Sequence, residues 1–171
     1  SPMTKSHCGM QRALALLVVF FAAGIAAAQT VADAAKSADW ETVQALIARG
    51  ADIDATQGDG TTALHWASYR DDIDVVGLLL DTGADVNVAN DLGATPLWSA
   101  SQNGSVAMVR RLLAAGADAN LALWSGETPL MIGSRAGATG VVELLLEHGA
   151  ETDARAARGQ TALMWAAAQQ H

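Results

Sequence analysis

The chain has 171 residues, of which 51% are apolar and 5% aromatic, so it is long enough to build one domain around a hydrophobic core. Asp and Glu number 18 against 10 Lys and Arg, which gives a formal net charge of −8 at pH 7. A chain this acidic repels the phosphate backbone of nucleic acids, so we expect no nucleic-acid partner.

Residues 1–28 have the order of a secretory signal peptide. Lys5 and Arg12 precede an apolar run that ends in small residues. We expect cleavage between Ala28 and Gln29, export to a periplasmic or extracellular space, and no contact with the membrane afterwards. The alternative is an uncleaved membrane anchor, but the apolar run would span only about 24 Å as a helix, less than the ~30 Å hydrocarbon core of a bilayer.

Removal of this segment would change the chemistry of the chain. Cys8 is the single cysteine, so the remaining chain would have no thiol and would be stabilised by packing without disulfides. Its formal charge would be −10, because two of the ten basic residues leave with the segment and none of the acidic residues does.

The rest of the chain repeats with a period of 33 residues. Threonine, leucine and glycine each recur four times at this interval. They are Thr62, Thr95, Thr128 and Thr161, then Leu64, Leu97, Leu130 and Leu163, and finally Gly50, Gly83, Gly116 and Gly149. A fixed period of about twenty to fifty residues is typical of repeat proteins, in which each unit packs on its neighbours.

Each threonine is predicted to cap the first helix of a unit, because its hydroxyl can accept a hydrogen bond from a free backbone N–H. Pro96 and Pro129 follow two of these threonines at the first helical position, where the fixed φ of proline suits a helix. A second helix is predicted after a short loop, since Val106, Val109 and Leu112 recur at helical spacing. The recurring glycine suits the left-handed residue that ends this helix, and an extended finger leads to the next threonine.

These units resemble the ankyrin repeat family, which has this period and a T-P-L-H-x-A motif. The stretches TTALHWA and ATPLWSA carry the resemblance. It implies an all-α solenoid of helix-turn-helix repeats with short β-hairpin fingers, and no catalytic residue, cofactor or metal. In the register of the family the complete units span 57–89, 90–122 and 123–155, with partial units at 29–56 and 156–171.

The resemblance also implies a structural role for His65, which the family uses to bond the capping threonine and neighbouring backbone. Trp98, Met131 and Met164 hold the same position in the other copies and depart from the family pattern. Packing must replace the polar bridge in those units.

An acidic run at Asp71, Asp72 and Asp74 raises the alternative of a metal site. We interpret the run as a loop followed by the start of a second helix, where the helix dipole favours negative charge.

Both ends of the repeat region are atypical. Gln29 falls at the threonine position of the first unit, so the expected cleavage coincides with the start of the first helix. The last unit stops after one helix, and we expect incomplete cover over Leu163 and Trp165. We interpret the chain as a fragment of a longer array, or as a protein whose last unit docks on another partner.

Stacked repeats form an extended concave face. The resemblance places partner contacts on the finger tips and on the last residues of the first helices. Trp124 is unusual because its counterpart Asp91 is polar, and Trp, Tyr and Arg are the commonest anchors of interfaces. The predicted contact residues are Trp124, Tyr69, Arg70, Arg135, Asp91, Leu92, Gln102, Asn103 and Glu127. The alternative for Trp124 is that it folds against its own finger.

The resemblance therefore implies a non-catalytic module that binds a protein partner. Two alternatives keep the same fold: a docking or regulatory part of a longer exported enzyme, and a secreted effector. Scaffold positions carry the repeat pattern, so the pattern implies no particular partner and no oligomeric state.

Overall fold

The computed structural model describes residues 29–169, which form nine helices. The predicted signal peptide lies outside the described residues. The helices are α1 (Val31–Lys36), α2 (Trp40–Ala48), α3 (Ala63–Tyr69), α4 (Ile73–Asp81), α5 (Pro96–Asn103), α6 (Val106–Ala114), α7 (Pro129–Arg135), α8 (Thr139–Glu147) and α9 (Ala162–Ala168). None of them is long and apolar enough to cross a bilayer.

The helices stack in two layers. The first helices α1, α3, α5, α7 and α9 pack on one another in chain order and form one layer. The second helices α4, α6 and α8 follow one another in the other layer, and each second helix packs on the first helix of its own pair. This arrangement confirms the predicted all-α solenoid of helix-turn-helix units.

Threonine side chains cap α5, α7 and α9 as predicted, whereas the Thr62 hydroxyl at the start of α3 makes no such cap and bonds to His65. Thr95 accepts a hydrogen bond from the backbone N–H of Trp98 at 3.2 Å, and Thr128 and Thr161 make the equivalent bonds in α7 and α9. These bonds satisfy N–H groups that the first turn of a helix leaves free.

The first unit differs from expectation, because Thr30 and not Gln29 caps α1. Thr30 accepts a bond from the Asp33 backbone N–H at 3.1 Å, and the Asp33 carboxylate accepts the Thr30 N–H at 3.2 Å. This reciprocal pair sets the start of the helix one residue later than the 33-residue count predicts.

The predicted β-hairpin fingers are wrong, because no residue between 29 and 169 is in a β-strand. Each finger is a tight turn with two backbone hydrogen bonds of its own, such as the 3.0 Å bond from Asn90 N–H to the Ala94 carbonyl and the 2.8 Å bond from Gly93 N–H to the Asn90 carbonyl. Gly93 adopts a φ of +82° in this turn. Two bonds inside one turn do not make the ladder of alternating pairs that a strand requires.

The core is formed by residues of both the first and the second helices. Leu64, Leu97 and Leu130 of the first helices are almost fully buried in it, at equivalent positions in successive units. Leu163 holds the same position in α9 but is 78% exposed, since no further helix of the described residues covers it.

His65 joins two neighbouring units. Its Nε2 lies 2.8 Å from the Ala94 carbonyl oxygen, which can only accept, so Nε2 carries the proton. Nδ1 then accepts from the Thr62 hydroxyl at 2.9 Å and from the Thr62 backbone N–H at 3.2 Å. Trp98 replaces the histidine at this position in the next unit. Its single ring nitrogen, Nε1, is buried without a hydrogen-bond partner.

The burial and hydrogen bonding of His65 predict how the stability of the protein depends on pH. Burial lowers the pKa of His65 below its usual value of 6.5. As the pH falls below that value, the unfolded chain gains a proton on His65 that the folded chain does not accept, so stability is lost. We expect the melting temperature of the full chain to fall between about pH 7 and 5.

The His65→Gln variant isolates this contribution, because it leaves every other titrating group in place. Its melting temperature should be lower than that of the wild type at pH 7 but should change less across the same range. Parallel pH profiles of the two proteins would contradict the assignment.

Asparagine side chains join the loops that follow the second helices. Asn120 Oδ1 accepts the backbone N–H of Glu151 at 2.8 Å, and its Nδ2 donates to the Gly149 carbonyl at 3.1 Å. Asn87 makes the same two bonds one unit earlier. Each amide therefore links its loop to the next unit through both a donor and an acceptor.

Asp54 holds this position in the first unit and can only accept. It accepts the Asp85 backbone N–H at 3.1 Å, and burial raises its pKa, with a smaller contribution from the Asp85 charge. We expect Asp54→Asn to raise the free energy of unfolding by about 1 kcal/mol at pH 7, because the amide also gains a donor for the Gly83 carbonyl. Urea denaturation measures the change, and Asp153→Asn, with no following unit in the described residues, should be near neutral. An equal effect of both substitutions would contradict the prediction.

Candidate protein-binding surface

The finger tips form a continuous row, joined tip to tip by backbone hydrogen bonds. Asp91 N–H donates to the Asp59 carbonyl at 2.9 Å, and Trp124 N–H donates to the Leu92 carbonyl at 3.1 Å. A third bond of 2.8 Å joins the third and fourth tips. We call this set the finger row, and its tips are Gly58 and Asp59, Asp91 and Leu92, Trp124 and Ser125, and Ala157 and Arg158.

Glycine beside each tip allows the close approach of neighbouring fingers. A Cβ added to Gly93 would lie 3.0 Å from the Ala122 carbonyl oxygen and 3.0 Å from the Trp124 backbone nitrogen. Gly60 and Gly126 have the same crowding and the same positive φ. These glycines recur at the repeat interval, a signal in the sequence that would have revealed the contact between fingers.

Trp124 projects from the third tip and is 80% exposed. Its indole Nε1 donates to the Asp91 carbonyl oxygen at 2.9 Å, so the ring is held on the preceding finger and not on its own. The alternative that Trp124 folds against its own finger is therefore wrong. Leu92, on that preceding finger, is 69% exposed, so the middle of the row carries two exposed apolar side chains.

The last residues of the first helices carry the other predicted contacts. Tyr69 is 57% exposed, with its ring edge-on to Trp66 at 6.3 Å. Arg135 is exposed in α7, and its guanidinium lies 4.8 Å from the centre of the Trp165 ring. Gln102 is exposed in α5, and Glu127 is half-buried next to the third finger.

Two of the predicted contact residues form hydrogen bonds between neighbouring units of the array. Arg70 Nη2 donates to the Lys36 carbonyl at 2.6 Å, and Asn103 Nδ2 donates to the Tyr69 carbonyl at 2.8 Å. Both bonds satisfy a carbonyl at the end of the preceding first helix, which would otherwise be free. The polar atoms of Arg70 and Asn103 therefore join neighbouring first helices.

Among residues 29–169, no group of three or more His, Cys, Asp or Glu side chains is placed to hold a metal ion. In the acidic run, the Asp72 carboxylate accepts the Val75 backbone N–H at 3.1 Å and so caps α4, and Asp74 lies in the first turn of that helix. Capping by Asp72 and the favourable helix dipole at Asp74 explain why acidic residues occur at the start of α4.

The comparison with known families agrees with this architecture. A family model for ankyrin repeats, in three copies, matches residues 31–123 and 118–171. No curated protein matches the chain. Since the two matched segments include more than half of the sequence, the chain belongs to the ankyrin repeat family.

Proposed function

We propose that this chain binds a protein partner through the finger row and the exposed ends of the first helices. Ankyrin repeats are in general protein–protein interaction modules without catalytic activity. The observation that carries the proposal for this chain is the exposed, fixed ring of Trp124 beside Leu92.

Trp124 has the properties of an interface anchor. Its ring has a large apolar surface in water, which a partner can cover with a gain of about 25 cal/mol per Å². The bond to the Asp91 carbonyl holds the ring before a partner arrives, so less side-chain freedom is lost on binding. Tryptophan is also among the residues that most often dominate the binding energy of interfaces.

Exposed side chains beyond the finger row extend the proposed surface. Tyr69 and Arg135 lie at the ends of α3 and α7, and both residue types are enriched at interfaces. We expect them to contribute less than Trp124, because each already packs on a tryptophan of this chain.

Affinity capture tests the proposal. The full chain, the Trp124→Ala variant and the Leu146→Ala variant serve as baits for proteins of the source cell. We expect a protein that the wild type and Leu146→Ala retain and that Trp124→Ala loses. Leu146 is a matched control, because it is an exposed apolar side chain on the second helix α8, outside the finger row. Equal retention by all three baits would overturn the proposal.

We also propose that the protein is exported to a periplasmic or extracellular space. The support is the order of basic residues, apolar run and small residues in the first 28 positions. N-terminal sequencing of the protein from its native source should begin at Gln29. A membrane-bound protein that keeps its first 28 residues would instead favour the anchor.

A further inference from the structure

The charge of the finger row changes sign along the array. Asp59 and Asp91 place carboxylates on the first two tips, and both side chains are exposed. The fourth finger carries Arg155 and Arg158, which are also exposed. The apolar side chains of the row lie between the acidic and the basic ends.

These charges are available to a partner. Within residues 29–169 the one ion pair joins Arg111 and Asp81, which belong to second helices. The Asp59 carboxylate accepts the Thr61 backbone N–H at 3.0 Å, and this bond lowers its pKa further below neutral pH. Arg155 makes one contact, at 3.4 Å, with a carbonyl of its own finger. Within the described residues neither end of the row takes part in an ion pair, and the Lys36 charge makes only the smallest contribution to the lowered pKa of Asp59.

The spacing of the tips fits an extended peptide segment. Neighbouring helices of a layer lie about 8–10 Å apart, so the three intervals between four consecutive tips span roughly 24–30 Å. An extended chain rises about 3.3 Å per residue, so a segment of about seven to nine residues reaches from the first tip to the last. The backbone bonds between tips fix this distance before binding.

We propose that the finger row selects an extended protein segment with basic side chains at one end, an apolar side chain in the middle and acidic side chains at the other end. This inference rests on the binding function proposed above. The basic end meets Asp59 and Asp91, and the apolar side chain packs on Trp124. The acidic end meets Arg155 and Arg158.

Opposed charges at the two ends give selectivity as well as attraction. A segment that is basic throughout meets the arginines of the fourth finger, and a segment that is acidic throughout meets the carboxylates of the first two. Like charges brought together in an interface are unfavourable, so both segments bind more weakly than the mixed one.

Three fluorescein-labelled peptides test the inference: KKGLFLGEE, KKGLFLGKK and EEGLFLGEE. Their binding to the full chain is followed by fluorescence anisotropy at low salt. We expect the mixed peptide to bind at least about tenfold more tightly than either of the others, and its advantage to shrink in about 1 M salt, where charges are screened.

A charge-reversal variant sharpens the test. Asp59→Lys combined with Asp91→Lys makes both ends of the row basic, so the acidic peptide should become the tightest ligand. Glu143→Lys combined with Glu147→Lys is the matched control, because it changes the net charge equally on exposed residues of α8. This control should keep the wild-type order, and thermal melts confirm that both variants fold. Equal binding of the three peptides, or an unchanged order in the finger-row variant, would overturn the inference.

Failure of this inference is distinguishable from failure of the proposed function. A partner whose capture depends on Trp124 but not on the charges of Asp59 and Asp91 overturns the inference and leaves the proposed function standing. If the wild type and Trp124→Ala capture the partner equally, the proposed function itself is overturned.

Discussion

Replacing Leu97 with alanine is expected to lower the free energy of unfolding by about 2–5 kcal/mol. Leu97 is fully buried in α5, which packs against both α3 and α7. The truncation removes apolar contact and leaves a cavity where two interfaces between units meet. Urea denaturation followed by circular dichroism gives the change in free energy.

Leu163→Ala is the matched control for this substitution. Leu163 holds the equivalent position in α9, but its side chain is mostly exposed, so we expect a loss below about 1 kcal/mol. Each unit is stabilised mainly by its neighbours, so Leu97→Ala should also broaden the transition as the two halves of the array lose their coupling. Equal losses from the two substitutions would show that burial between units does not stabilise this array.

Replacing Trp124 with alanine is expected to weaken binding of the captured partner by more than about 2 kcal/mol, or roughly 30-fold in Kd. The stability of the free protein should change little, because the ring is exposed and water can replace its N–H at the Asp91 carbonyl. A binding titration and a thermal melt of the same samples separate the two effects.

Trp124→Phe distinguishes the role of the ring from that of its N–H group. Phenylalanine keeps most of the apolar surface but cannot donate to Asp91, so it should retain most of the affinity if apolar contact dominates. A loss of stability in Trp124→Ala as large as the loss of binding would show that the ring is part of the core.

The helical architecture could be predicted because each unit needs the same residue types at the same structural positions. Thr95 and Thr128 were predicted to begin helices, and each caps one. The first unit departs by one residue from the 33-residue count, because a local capping pattern sets the start of α1. Thr30 followed three residues later by Asp33 is a capping pattern that identifies the true start.

The finger row could be predicted only in part. Trp124 is recognisable in the sequence because it departs from the repeat pattern. Its acceptor, the Asp91 backbone carbonyl, could not be found because carbonyl positions depend on the conformation of two neighbouring turns. The internal bonds of Arg70 and Asn103 left a clearer signal, since both are hydrogen-bond donors at positions one repeat apart.

The way in which the tips are joined has a consequence for the evolution of the protein. One backbone bond connects each tip with the next, and backbone atoms are the same whatever side chains the unit carries. Duplication of a gene segment that encodes one unit would therefore lengthen the row by one tip without altering the contacts on either side. The side chains of the new tip would be free to diverge, so the array could acquire new ligands while its scaffold stayed constant.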